Sequence, residues 1–201
     1  LERTGVIVAH QGALELLKAA GARVEDQRVR IPSHLVEAAL ASAPKSINIH
    51  DRLGRVAMRL GGRNSYFGTG SDLHSTIDPD TRQHRRSCKQ DVARIARLCD
   101  GLENIDFCMS MAIASDASFV TSYVHQFDAM VRSTAKPLVF TANNAADMHD
   151  IFDLASTVVG GAEELTARPR YVLYNEPISP LYHSPDGVDK LLFAAKQYTP
   201  L

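Results

Sequence analysis

The sequence predicts an α/β fold: a partial TIM (β/α)8 barrel of about four βα units, preceded by a small, mainly helical N-terminal cap. Three observations lead there. Strand-like segments centred near Phe67, Phe107, Val139 and Val172 recur at intervals long enough for a right-handed crossover helix between parallel neighbours. Helical periodicity lies between them. Neither GxGxxG nor GxxxxGK[ST] follows any strand, which removes the usual phosphate-loop support for a doubly wound nucleotide-binding sheet and favours the barrel.

Taken in order, residues 10–21 (HQGALELLKAAG) set Leu14, Leu16, Leu17 and Ala20 near helical spacing and stop at Gly21, suited to a left-handed helix end. Arg28 to Pro32 reads as a strand. Ser33 reads as the cap of a helix from His34 to Ala43, ended by Pro44. Ser46–His50 and Arg55–Leu60 flank Asp51-Arg52-Leu53-Gly54 as a hairpin. Residues 1–60 are therefore expected to form the cap and hairpin, and residues 61–201 the first half of the barrel. Tyr66-Phe67 opens the first barrel strand. Ser87 with Gln90 reads as a capping box for a helix from Cys88 to Asp100. Ile105–Met111 is the second strand, followed by a helix from Phe119 to Ser133 capped by Ser118. Pro137–Ala142 is the third, followed by a helix from Ala145 to Val159 capped by Asn144 and released by Gly160-Gly161. Tyr171–Asn175 is the fourth, and Ser184-Pro185 opens a last helix, with proline in the first turn where its missing donor costs nothing. A fifth strand is expected to begin at Tyr198–Leu201, and Leu1–Val6 reads like the middle of a domain, so the chain is expected to be a piece of something longer.

With 45% hydrophobic residues, the 201-residue chain has enough apolar material for a core, and its formal charge of −1 with dispersed Lys and Arg argues against a nucleic-acid footprint. No apolar run approaches the length needed to span a bilayer. Cys88, Cys99 and Cys108 are an odd number without CxxC spacing, which speaks against a zinc site or disulfide framework and for a reducing cytoplasm.

In a barrel, functional groups gather where strands end and loops begin. The first strand ends in Thr69, Gly70, Ser71 and Asp72, where glycine permits close approach and unusual dihedrals just as hydroxyls and a carboxylate appear. The second ends in Ser110 and Met111, the third in Thr141, Ala142 and Asn143, the fourth in Tyr174, Asn175 and Glu176. Pro177 forces Glu176 into an extended conformation, and strand alternation sets Val172, Tyr174 and Glu176 on one face, taken as inward. His183 lies in the loop beyond. His74 and His84 flank the turn Asp78-Pro79-Asp80-Thr81 without a well-spaced third ligand, so they read as surface hairpin residues and no metal is expected. His125 reads as a half-exposed helical residue; Met109, Met111 and Met130 read as packing, and Arg82, His84, Arg85 and Arg86 as a solvated basic face.

FGTGSDLHSTIDPDT (67–81), NIDFCMSM (104–111), KPLVFTA (136–142) and NEPISPL (175–181), in this order and spacing, resemble the trimethylamine:corrinoid methyltransferase family, and VRIPSHLVEAALASAP (29–44) resembles its cap. The resemblance implies a TIM barrel that passes a methyl group from a methylated amine, trimethylamine or a quaternary amine such as glycine betaine, to cobalt in a corrinoid carried by a separate protein. No cofactor is then bound directly. The family's pyrrolysine position would lie beyond Leu201. A quaternary nitrogen already carries its charge, so the protein must supply orientation, exclusion of water and recognition of a cation. On that reading Asp72 and Glu176 balance the charge as catalytic candidates, Tyr66, Phe67 and Tyr174 offer ring faces, and Thr69, Gly70, Ser71, Thr141, Asn175 and His183 complete the substrate pocket. Two other readings stay open: a lyase or aldolase-type barrel, which needs a lysine at a strand end or a metal cluster, and an inactive fragment acting as a binding module. Four strands leave an open edge, which points to a homo-oligomer.

Overall fold

The computed structural model describes residues 1–197 and 199–200 of the 201-residue chain. The first segment carries more strand than its helical periodicity suggests. β1 (Val6–Val8) precedes α1 (Gln11–Ala19), which His10 caps by accepting the Ala13 N–H at 3.1 Å. β2 (Arg23–Glu25) and β3 (Arg28–Arg30) form an antiparallel pair, and α2 (Ser33–Ser42) follows with Pro32, not Ser33, at its N-cap. The hairpin comes next, as β4 (Ser46–His50) and β5 (Val56–Gly61).

The hairpin is anchored by long-range bonds. His50 N–H donates to Pro169 O and Arg52 N–H to Ala135 O, both at 2.8 Å, so it lies against the residues that lead into the third and fourth strands. Buried Arg170 reinforces this, donating to Asp51 O (3.2 Å) and Glu164 Oε1 (2.9 Å).

Four segments in chain order then run side by side in parallel. The first is too irregular for a regular strand but bridges the second at Gly68–Phe107 and Leu73–Ala112; the second bridges the third at Cys108–Leu138. The first crossover holds a hairpin, β6 (Ser75–Ile77) with β7 (His84–Arg86), and α3 (Lys89–Gly101). The helix after the second segment starts as a 3-10 turn (Phe119–Thr121), to which the Ser118 side chain contributes no cap, before α4 (Ser122–Ser133). β8 (Leu138–Phe140) is followed by α5 (Ala145–Val159), capped by Asn144 Oδ1 and ended at Gly160 with φ 95°. The chain continues through α6 (Ala162–Ala167) to β9 (Tyr171–Leu173), which pairs with β8 in parallel. Beyond it, β10 (Tyr182–His183) returns to pair with β1, in the order β10-β1-β3-β2, and α7 (Pro185–Lys196) follows with Ser184 as cap. Of the expected fifth strand, Tyr198 and Leu201 lie outside the described residues; Pro200 O accepts the Leu173 N–H at 2.9 Å.

Alternation along these segments builds the core. Cys108, Leu138, Phe140, Tyr171 and Leu173 point to the helices and pack with Val92, Ala96, Phe127, Met130 and Ile151; Phe127 meets Phe140 and Tyr171 edge-on at centroid distances of 5.4 and 5.0 Å. The opposite face carries Phe107, whose ring lies where a Cβ on Gly68 would fall, 2.4 Å from the Cδ2 and Cε2 positions. Gly70 has open space around it, so of the two glycines only Gly68 is required by close approach. Lys136 Nζ donates to Cys99 O, Leu102 O and Ile105 O at 2.5–2.7 Å and so satisfies carbonyls at and just past the end of α3.

The cap of α3 differs from the sequence expectation of Ser87 with Gln90. Cys88 is the N-cap and its N–H donates to Asp91 Oδ2 at 3.0 Å, because Asp91 rather than Gln90 occupies the third helical position. Asp91 also receives Arg85 in a two-pronged pair (2.7 and 2.8 Å), while Arg85 Nε reaches Asp78 Oδ2 at 2.8 Å. One guanidinium thus clamps the β6–β7 turn to the start of α3. It holds Asp91 down at about 2, below its ordinary 3.8.

Two predictions follow from this packing. Arg85→Met leaves the buried Asp91 carboxylate without its partner and lowers stability by about 2 kcal/mol. Because Asp91 is depressed in the folded state, the clamp's contribution is complete above its ordinary 3.8 and is lost as pH falls toward about 2. Denaturant melts at pH 7 and pH 2.5 will therefore differ by less in the variant; an equal pH response would contradict the clamp. Gly68→Ala, by forcing the Phe107 ring aside, lowers stability by about 1–3 kcal/mol in the same melts, whereas Gly70→Ala changes it by less than about 1 kcal/mol.

Candidate functional site

Because the four segments run parallel, their carboxyl ends meet along one edge, and the loops after them supply its side chains. Asp72 ends the first segment with φ 64°, a left-handed conformation costly for a side chain with a Cβ, and Met111 ends the second with φ 54°. The two turns are joined: Met111 N–H donates to Gly70 O (2.9 Å) and Leu73 N–H to Met111 O (3.3 Å). The Ser71 hydroxyl donates to Asp72 Oδ2 at 3.3 Å, while Asp72 Oδ1 is buried without a partner. Tyr123, one residue into α4, stands against this carboxylate, and burial followed by the Asp72 charge pushes its phenol up to about 12.

The fourth segment brings Glu176 to the same edge. Tyr171 and Leu173 face the core, so Tyr174 and Glu176 fall on the other side, and the Tyr174 hydroxyl donates to Glu176 Oε2 at 2.7 Å. That bond is the main cause that raises Tyr174, with burial, the Glu176 charge and the Asp72 charge adding to it.

Two further charged groups close the edge. Asp147 is buried in the first turn of α5, its Oδ2 accepting Asn143 N–H and Asn143 Nδ2, both at 2.9 Å. Lys190 reaches back from α7 to donate to Ala142 O at 2.8 Å; burial lowers its pKa, opposed by Asp186, Asp147 and Asp72. Asp72, Asp147 and Glu176 together with the Lys190 ammonium form a net negative group, a charge balance that can attract a positive ligand.

Of the residues singled out by sequence, Ser71 and Thr141 line one pocket at this edge, and Asp72, Tyr174 and Glu176 lie close by. Gly70 contributes its carbonyl to Met111, and Phe67 is two-thirds exposed on the first segment, its N–H held by Asp106 Oδ2 at 2.7 Å. Others are committed elsewhere. The Thr69 hydroxyl accepts Met109 N–H and donates to Met109 O, both at 2.8 Å, standing in for a backbone rung. The Tyr66 hydroxyl accepts the Arg59 N–H at 2.8 Å, Asn175 Nδ2 donates to Gly187 O at 3.0 Å, and His183 sits in β10 beside β1. His125 Nδ1 lies 3.2 Å from Lys89 Nζ, outside this edge's contacts. Among the described residues no three His, Cys, Asp or Glu are grouped to hold a metal, and no helix is long and apolar enough to cross a membrane.

Sequence reasoning passed over Tyr123, Asp147, Lys190 and Gln126. Asp147 alone had a local signal, an acid three residues after the Asn144 cap; the others are marked only by contacts across the fold.

The chain is 31% identical to trimethylamine methyltransferase MttB of Desulfitobacterium hafniense over 183 residues, 90% of this chain and 37% of that protein. It is 28% identical to trimethylamine methyltransferase MttB1 of Methanosarcina mazei over 207 residues, 96% of this chain and 40% of that protein. It is 24% identical to glycine betaine methyltransferase of Desulfitobacterium hafniense over 182 residues, 90% of this chain and 38% of that protein. The chain thus spans about two fifths of the length of these relatives. With the trimethylamine methyltransferase (MTTB) family model matching residues 1–200, the chain belongs to that family.

Proposed function

We propose that this chain forms the opening half of a βα barrel in a methyltransferase that moves a methyl group from a methylated amine, trimethylamine or a quaternary amine such as glycine betaine, to the corrinoid of a partner protein. The observation that carries the reading is that parallel pairing brings Asp72, at the end of the first segment, and Glu176, which accepts the Tyr174 hydroxyl at 2.7 Å beyond the fourth, to the same edge. Carboxylates from the first and fourth units beside a protonated phenol suit an ammonium ion, since the acids balance its charge and the ring offers its face. Family membership and four consecutive parallel segments support the same reading.

When the partner is docked, its corrinoid supplies the methyl acceptor. This chain's residues bind and orient the amine. The C–N bond breaks with its electron pair left on nitrogen, so a quaternary substrate leaves as a neutral amine and no side chain needs to move a proton. Tyr174, held protonated, suits this role as a neutral ring. Exposed Leu73, Met111, Phe119 and Val120 on the first two loops leave an apolar approach for a large visiting group.

The test uses the full-length protein with its corrinoid partner. Asp72→Asn and Glu176→Gln, measured separately, raise KM for the amine by about tenfold, with a smaller effect on kcat, because each removes charge balance from bound substrate as well as from the transition state. Full activity in both variants would end the assignment.

A further inference from the structure

Gln126 occupies the second turn of α4 at 2% exposure, and neither its amide nitrogen nor its carbonyl oxygen has a hydrogen-bond partner. Burying an unpaired donor and an unpaired acceptor on one side chain is a costly defect that native folds keep few of. Packing does not call for it, because its surroundings include Met109, Met130 and Phe140, where a methionine of similar length would fit without loss. The side chain lines a narrow pocket of about 10 Å3, room for a single oxygen-sized group, whose polar wall is made by Ser71, Ser110, Tyr123 and Thr141.

Two of the residues that line this pocket, Ser71 and Tyr123, approach the Asp72 carboxylate. Ser71 donates to Asp72 Oδ2; the Tyr123 phenol stands against the same carboxylate. The unpartnered Asp72 Oδ1 is a second buried acceptor beside it.

We propose that Gln126 is a specificity-determining residue, whose carboxamide takes up an oxygen-bearing substituent of the methylated amine while the ammonium end stays at Asp72. The inference rests on the amine-binding reading above and deepens it. A carboxamide presents one donor edge and one acceptor edge, and the neighbouring hydroxyls turn to suit either, so a hydroxyl or carboxylate oxygen satisfies the pocket. A bare trialkylamine leaves it unpaired, and a site built to hydrogen-bond a group discriminates against analogues lacking it.

The test is Gln126→Met in the full-length protein with its corrinoid partner, assayed with trimethylamine, glycine betaine and choline alongside thermal melts. The melting temperature is expected to stay level or rise, since an apolar side chain replaces an unpaired amide. At the same time kcat/KM for the oxygen-bearing amines is expected to fall about tenfold or more relative to that for trimethylamine. A uniform loss across the amines with a lower melting temperature would make Gln126 structural; unchanged kinetics would make the pocket a water site; a wild type that accepts trimethylamine but neither oxygen-bearing amine would equally overturn the inference. A wild type that transfers methyl from none of the three sinks the proposed reaction instead. Gln126 is then judged by ligand-induced thermal stabilisation: a shift with glycine betaine or choline that Gln126→Met abolishes upholds it, and equal shifts, or none, overturn it.

Discussion

Parallel pairing between consecutive segments is the constraint on which the rest of this structure depends. Parallel neighbours cannot be joined by a tight turn, so the chain must cross over between them, and the crossovers supply α3, α4 and α5, whose apolar residues share the core with alternate residues of the segments. The same pairing brings all four carboxyl ends to one edge. Asp72 and Glu176, far apart in sequence, thereby come to the same edge.

Each edge carries its own polar groups. At the edge where the segments begin, Lys136 satisfies three carbonyls, Asp100 Oδ1 accepts the Thr134 hydroxyl and the Ala135 N–H, and Arg170 ties the β4–β5 hairpin to its surroundings, while His50 Nδ1, Arg170 Nη1 and the Tyr171 hydroxyl are buried without partners. At the edge where they end, Asp72 Oδ1 and the Gln126 carboxamide are left unpaired and Asp72 and Met111 take left-handed conformations.

Features fixed by neighbouring residues were legible in the sequence. Asn144 and Ser184 cap their helices because a side chain two or three residues before the free N–H groups needs no tertiary help, and the alternation that places Tyr174 and Glu176 on one face follows from strand geometry alone. Features set by distant contacts were not. The β1–β10 pairing depends on a loop returning across the fold, and Thr69 is drawn from the expected pocket because Met109 lacks a regular rung there. Cys88 looks like a poor cap until Asp91 is seen to answer it, and the need for Gly68 comes wholly from the Phe107 ring. Lys190 carries no local mark at all; only the fold of α7 back over the third segment gives it a place.

The central claim is that carboxylates from the first and fourth units jointly hold an ammonium ion at the shared edge. The most direct measurement is a structure of the full-length protein with a bound quaternary ammonium compound. The account predicts the nitrogen within about 6 Å of the Tyr174 ring centroid, with the Asp72 and Glu176 carboxylates on either side of it. A nitrogen bound elsewhere, with both carboxylates facing solvent alone, would contradict it.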